Sequence, residues 1–158
     1  MRNFRMPFLA VLFFIFSVFG SMSFAEGIVL SDLKGEKADL ASYKGKPVIL
    51  FFWTTWCPYC RQELKDLNQR YPQITGDGIV LLGVNVNEPS YKVQNFFESY
   101  PLQFRMLLDK NGLLADEYNL MGVPTYVFLD KEGKEISQAH SLPPDYKLLL
   151  SGRKGIDG

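Results

Sequence analysis

Val48-Ile49-Leu50-Phe51-Phe52-Trp53-Thr54-Thr55-Trp56-Cys57-Pro58-Tyr59-Cys60 carries an apolar strand pattern straight into a cysteine pair and a helix. Its first six residues form an unbroken apolar run of strand length. From Cys60 onward, Cys60, Leu64, Leu67 and Tyr71 recur at helical spacing, and Pro72 is expected to end the helix. The only two cysteines therefore lie at a strand-to-helix junction, with Pro58 suited to the first helical position. Unpaired N–H groups at a helix start carry partial positive charge and favour thiolate over thiol at Cys57. A free thiol titrates at about 8.5, and such a site commonly lowers it toward neutrality or below. Cys60 falls on the same helical face and can reach back to form a disulfide.

The 158 residues predict one domain, and a 47% hydrophobic content suffices for a core. Seventeen basic residues balance seventeen acidic ones with no basic block, which argues against a nucleic-acid partner. Arg2 and Arg5 precede an apolar core from Phe8 to Phe19, and Ser23-Phe24-Ala25 supplies small residues where a signal peptidase reads. Residues 1–25 are thus expected to be a cleaved signal peptide or a retained membrane anchor, with a single domain over 26–158 in an oxidising compartment.

Working outward, Gly27 to Leu40 reads as a hairpin, and Tyr43 to Pro47 as a turn into the central strand. Ile79 to Val84 is a second continuous apolar run, as expected of a strand buried on both faces. Val93, Phe96, Phe97 and Tyr100 mark a helix ended by Pro101. Phe104 to Leu108 is a third strand, and a short helix lies near Leu113 to Tyr118. Thr125 to Leu129 and Lys134 to Gln138 flank a hairpin turn at Asp130-Lys131-Glu132-Gly133, and Pro143 to Leu150 closes as a helix. Strands alternating with helices before a closing hairpin predict an α/β fold with a mixed sheet.

Phe52 to Cys60, together with Gly122-Val123-Pro124-Thr125 and the hairpin after it, resembles the thioredoxin fold. The extra helix and strand over about 89–108 resemble the TlpA/ResA-type extracytoplasmic thiol–disulfide oxidoreductases, within the redoxin (AhpC/TSA-like) superfamily. The resemblance runs from about Ile28 to Ile136. It implies a central mixed sheet flanked by helices, with an N-terminal hairpin and an inserted helix and strand.

On this reading Cys57 is the attacking thiolate and Cys60 resolves the mixed disulfide. A purely stabilising staple is the weaker alternative, since loop closure over so short a gap contributes only about 2 kcal/mol. Zinc wants four ligands, and two cysteines with the lone His140 are too few. The resemblance implies a cis peptide before Pro124, packed beside the cysteines, with the Val123 backbone pairing to a substrate strand. Trp56, Pro58 and Tyr59 are expected to shape the surface that meets the partner, and Trp53 to pack. Arg61 and Lys65 read as solvated helix charges, and His140 as a loop residue.

Glu88 follows Val84-Asn85-Val86-Asn87 at the carboxyl end of a strand, the edge where α/β proteins place their sites. Thioredoxin's buried acid, six residues before its first cysteine, is replaced here by Phe51. The resemblance gives Glu88 a role in proton transfer, as a base for Cys60. The alternative is an acid favouring the helix start at Pro89 through its dipole.

The expected activity is thiol–disulfide exchange with exported proteins in the periplasm or on the outer face of the cytoplasmic membrane. The direction is expected to be reductive, with apocytochrome c a substrate in cytochrome c maturation and a membrane thiol–disulfide protein as electron donor. The redox-active Cys57–Cys60 disulfide would serve with no further cofactor, in a monomer. A disulfide-forming oxidase is the alternative, followed by a thiol peroxidase and a non-catalytic thioredoxin-fold adaptor. Thr54 stands three before Cys57 as in peroxidases, but their upstream proline falls at Leu50 and is absent.

Overall fold

The computed structural model describes residues 28–151. The expected leader over residues 1–25 lies outside the described residues. No helix among them is long and apolar enough to cross a membrane.

Seven strands form one sheet in the order β2-β1-β5-β4-β3-β6-β7. They are β1 (Val29–Asp32), β2 (Lys37–Asp39), β3 (Val48–Trp53), β4 (Val80–Val86), β5 (Arg105–Asp109), β6 (Thr125–Leu129) and β7 (Glu135–Ala139). The middle strands β3, β4 and β5 run parallel, while the hairpin strands at both sides pair antiparallel. This mixed sheet matches the fold class expected from the sequence.

The apolar run of β3 is explained by its two faces. Ile49, Phe51 and Trp53 join a core with helix α1 (Pro58–Gly76), while Val48, Leu50 and Phe52 join a second core on the opposite face. Every residue of β3 is buried, so period-2 alternation has no polar side to show. Helix α1 buries Cys60, Leu64, Leu67 and Ile74, with Tyr71 partly buried, at spacings that keep one face on the sheet. Burying each leucine stabilises the fold by about 1.5–3 kcal/mol.

The helix does not stop at Pro72, as its sequence predicts, but runs on to Gly76. Proline removes a hydrogen bond to the carbonyl four residues earlier. Here that carbonyl, on Asn68, accepts instead from the Gln103 side chain at 3.3 Å, and Asn68 Oδ1 accepts the Gln103 N–H at 2.8 Å. The inserted segment thus replaces the lost bond.

That insertion is helix α2 (Ser90–Glu98) followed by β5. It covers Trp53, which is fully buried against Phe96 at 5.1 Å and Phe97 at 5.7 Å between ring centroids. The indole N–H donates to Met106 Sδ at 2.9 Å. Gly83 in β4 leaves the room that the Met106 side chain fills. Helices α3 (Leu113–Glu117) and α4 (Tyr146–Leu150) are single short turns.

Candidate active site

Strand β3 ends at Trp53 opposite Asn85 of β4, so the segments leaving the two parallel strands emerge side by side. One is Thr54 to Cys57. The other turns sharply at Asn87, whose φ of 53° lies in the left-handed region that asparagine tolerates. Its N–H is held by Asp109 O at 2.9 Å. The reversal sends Glu88 back toward the cysteine loop.

Cys57 is the N-cap of α1, with extended backbone, and its Sγ accepts the Cys60 N–H at 3.1 Å. Sulfur thus occupies the place of the usual capping oxygen and meets the unpaired N–H groups of the first turn. Cys57 and Cys60 are joined as a disulfide with Cα atoms 5.2 Å apart. Cys57 is 4% exposed and Cys60 fully buried, so what exposure the pair has lies at Cys57.

The Val123–Pro124 peptide is cis. It brings Val123 O to 3.9 Å from Cys57 Sγ, a contact rather than a hydrogen bond, since a disulfide sulfur has no proton. Trp56, Tyr59 and Met121 are 63%, 78% and 97% exposed. Large apolar groups so open to water near a buried disulfide are suited to meeting another chain rather than to packing. Pro58 is exposed at the head of α1.

Glu88 is buried and its carboxylate is crowded with donors. Oε2 accepts the Thr55 N–H at 2.6 Å and Asn85 Nδ2 at 2.8 Å; Oε1 accepts the Thr55 hydroxyl at 2.7 Å and pairs with Lys92 Nζ at 2.9 Å. Burial pushes the carboxyl up, but the bonds from Asn85, Lys92 and Thr55 outweigh it, and the net pKa falls below the usual glutamate value. All of these described partners are groups other than the cysteine sulfurs.

Several contacts were not legible in the sequence. Arg61 is not a free helix charge: its Nε and Nη2 both donate to Thr55 O, at 2.9 and 2.6 Å. That bond runs six residues backward across the strand-to-helix junction, a spacing that no helical or strand periodicity marks. His140 is exposed, as a loop residue should be, yet its Nδ1 lies 2.9 Å from Pro124 O and 3.4 Å from Thr125 Oγ1. Pro124 O only accepts, and the Thr125 hydroxyl already donates to Gly122 O at 2.8 Å. Nδ1 must therefore carry the proton, leaving Nε2 as the open nitrogen. The Tyr126↔Ala139 pairing sets His140 beside the turn, but a register shift between Phe128 and Leu129 defeats simple counting along the hairpin. Where thioredoxin's buried acid would sit, Phe51 instead packs on Tyr126 at 4.8 Å between centroids. No group of three or more histidine, cysteine, aspartate or glutamate side chains among the described residues is placed to hold a metal.

Residues 23–136 match the model of the AhpC/TSA family. The chain is 36% identical over 114 residues to the thiol–disulfide oxidoreductase ResA of Bacillus thuringiensis subsp. konkukian, covering 72% of this chain and 66% of that protein. It therefore spans just under two thirds of the length of that curated relative. A putative thiol:disulfide interchange protein DsbE from Chlorobium tepidum superposes with a TM-score of 0.70 at 27% identity, covering 83% of this chain and 92% of the other. A secreted disulfide oxidoreductase of Mycobacterium tuberculosis, homologous to E. coli DsbE, does so with a TM-score of 0.65 at 29% identity, covering 80% and 92%. The fold is thioredoxin-like, and the chain belongs to the AhpC/TSA family.

Proposed function

We propose that this protein is a thiol–disulfide oxidoreductase of the ResA type, acting outside the cytoplasm as a reductant of exported proteins. One observation carries the reading: the Cys57 sulfur caps α1 beside the Val123 carbonyl, and Cys57 alone of the pair keeps any exposure, 4% against none for Cys60. The names of the relatives, one of them a secreted protein, support the same chemistry and location.

In the reductive direction the Cys57 thiolate attacks one sulfur of a partner disulfide. A Cys57–partner disulfide forms, and the partner's second sulfur leaves as a thiolate and takes up a proton. Cys60 loses its proton and attacks Cys57 Sγ, restoring the intramolecular disulfide and releasing the first partner sulfur as a thiol. Two electrons pass to the partner, and the dithiol of a membrane thiol–disulfide protein supplies two more, becoming a disulfide as it reduces Cys57–Cys60 again. Val123, beside the cis proline Pro124, offers backbone groups to an extended partner segment, and Trp56, Pro58 and Tyr59 supply the apolar rim around it. Apocytochrome c, whose paired cysteines must be reduced before haem attaches, is the substrate that the ResA-type reading favours.

Cys57→Ser should abolish exchange with a disulfide substrate, and Cys60→Ser should accumulate covalent partners that reductant releases. Retained activity in Cys57→Ser, or no trapped species with Cys60→Ser, would reject catalysis. Titrating the pair against glutathione or dithiothreitol fixes the direction. A potential among the most oxidising members of the superfamily would replace the reductant with a disulfide-forming oxidase.

A further inference from the structure

Thr55 is bonded through every polar atom it has. Its N–H and its hydroxyl both donate to Glu88, and its carbonyl accepts two N–H groups from Arg61. It stands two residues before Cys57, whose own N–H is bonded to Thr54 O at 3.4 Å. Glu88 is equally committed. A carboxylate offers about four lone-pair sites. Thr55 N–H, the Thr55 hydroxyl, Asn85 Nδ2 and Lys92 Nζ take all of them. No acceptor site remains for a proton from sulfur.

We propose that Glu88 and Arg61 form a clamp on Thr55 that holds the cysteine loop against the start of α1. Both are then positioning residues for Cys57, with Lys92 tying the inserted helix to the clamp. The three side chains come from three places: the turn after β4, the first turn of α1, and α2. Cys57 gains from the helix dipole only within the first turn, so the loop's placement sets how much of that field the sulfur feels. The depressed pKa of Glu88 agrees with this role, because a carboxylate held ionised by four donors is a weak base near neutrality. The inserted helix thereby becomes part of the site's support rather than an ornament on the fold.

This inference rests on Cys57 being the attacking sulfur, and its test is separable from that reading. The measurement is the rate at which iodoacetamide alkylates Cys57 in the fully reduced protein at pH 7, with the reduction potential of the pair measured alongside. Glu88→Gln and Arg61→Met should each slow alkylation by about tenfold, the scale of one charge-assisted hydrogen bond, and shift the potential in the same direction. No ion pair or hydrogen bond joins Glu88 to Arg61 among the described residues; both bond Thr55, and both meet α2, Glu88 through Lys92 and Arg61 through its guanidinium 5.9 Å over the Phe96 ring. The double variant should therefore be slowed no more than the slower single. Arg61→Lys, which can still donate to Thr55 O, should recover most of the rate.

Effects that multiply in the double variant overturn the clamp. So does an unchanged rate in Arg61→Met, including the case where Glu88→Gln alone is slowed, since Glu88 would then act directly. Arg61 is exposed and its replacement is tolerable for folding. Should Glu88→Gln fail to fold, Thr55→Val paired with Arg61→Met makes the same comparison. An unchanged alkylation rate alongside loss of exchange in Cys57→Ser sinks the clamp and leaves the exchange reading intact.

Discussion

Two buried carboxylates, Asp32 and Glu88, solve the same physical problem and serve different ends. Each is almost fully withdrawn from water, 7% and 5% exposed, and each has a cation beside it and accepts from the backbone, Asp32 from two N–H groups and Glu88 from one. Asp32 Oδ1 accepts the N–H of Lys34 and of Glu36, both at 2.9 Å, and its Oδ2 pairs with Arg105, whose Nε lies at 3.0 Å and Nη2 at 2.9 Å. In both, burial raises the carboxyl pKa and the surrounding donors more than reverse it. Asp32 bolts the β1–β2 hairpin to β5; Glu88 bolts the cysteine loop to the insertion. A charge pair thus contributes stability at one place and, at the other, the setting of a reactive sulfur. What separates them is what the bonded backbone leads to.

The largest test of that contrast is Arg105→Met. It leaves Asp32 buried without its cation but keeps the two N–H bonds, and Arg105 is one-third exposed. The expected loss is about 2 kcal/mol, below the range for breaking a fully buried pair. Urea denaturation measures it, and the alkylation rate of Cys57 in the folded, reduced protein should not change. A fall in that rate would erase the distinction between the two acids.

Acid titration comes next and applies to both. The folded carboxyls bind protons less readily than their ordinary values of 3.8 for Asp32 and 4.5 for Glu88. The unfolded chain therefore holds more protons in acid, and stability rises with pH. This contribution is complete above about 4.5 and is lost as pH falls through the depressed folded values. Denaturation midpoints between pH 6 and pH 2 should trace the loss, and Glu88→Gln and Asp32→Asn should each flatten part of the slope. A slope identical in both variants and the parent would remove the linkage from these two acids.

Smaller effects sharpen the picture. Lys92 is half exposed, so Lys92→Met should cost no more than about 1 kcal/mol in denaturation. Its effect on alkylation should be weaker than that of Arg61→Met, because Glu88 keeps its bonds to Thr55. Tyr59→Ala, at a side chain open to water, should move stability by less than about 0.5 kcal/mol. It should still raise the KM for a protein substrate, and an unchanged KM would take Tyr59 out of the docking rim.

Most of the architecture was present in local pattern. The runs at Val48 to Trp53 and Ile79 to Val84, the Cys60, Leu64, Leu67 and Tyr71 face, and the Asp130 to Gly133 turn all became the expected elements. These are short-range signals, carried by side-chain period and backbone preference within a few residues. The helix passing through Pro72 was not legible, because the group that satisfies the freed Asn68 carbonyl, Gln103, lies 35 residues away.

Within the site the same division holds. Covalent order and local pattern were enough to locate the cysteine pair, its place at a strand-to-helix junction, the proline before Thr125 and an acid at the neighbouring strand's end. The packing of distant segments is what makes Glu88 and Arg61 converge on Thr55, joins Lys92 to them from the insertion, and rests His140 on the Pro124 carbonyl. Each of these bonds depends on the register of packed strands and the direction of a turn such as Asn87, and a hydrogen bond reports a separation of about 3 Å that linear spacing does not encode.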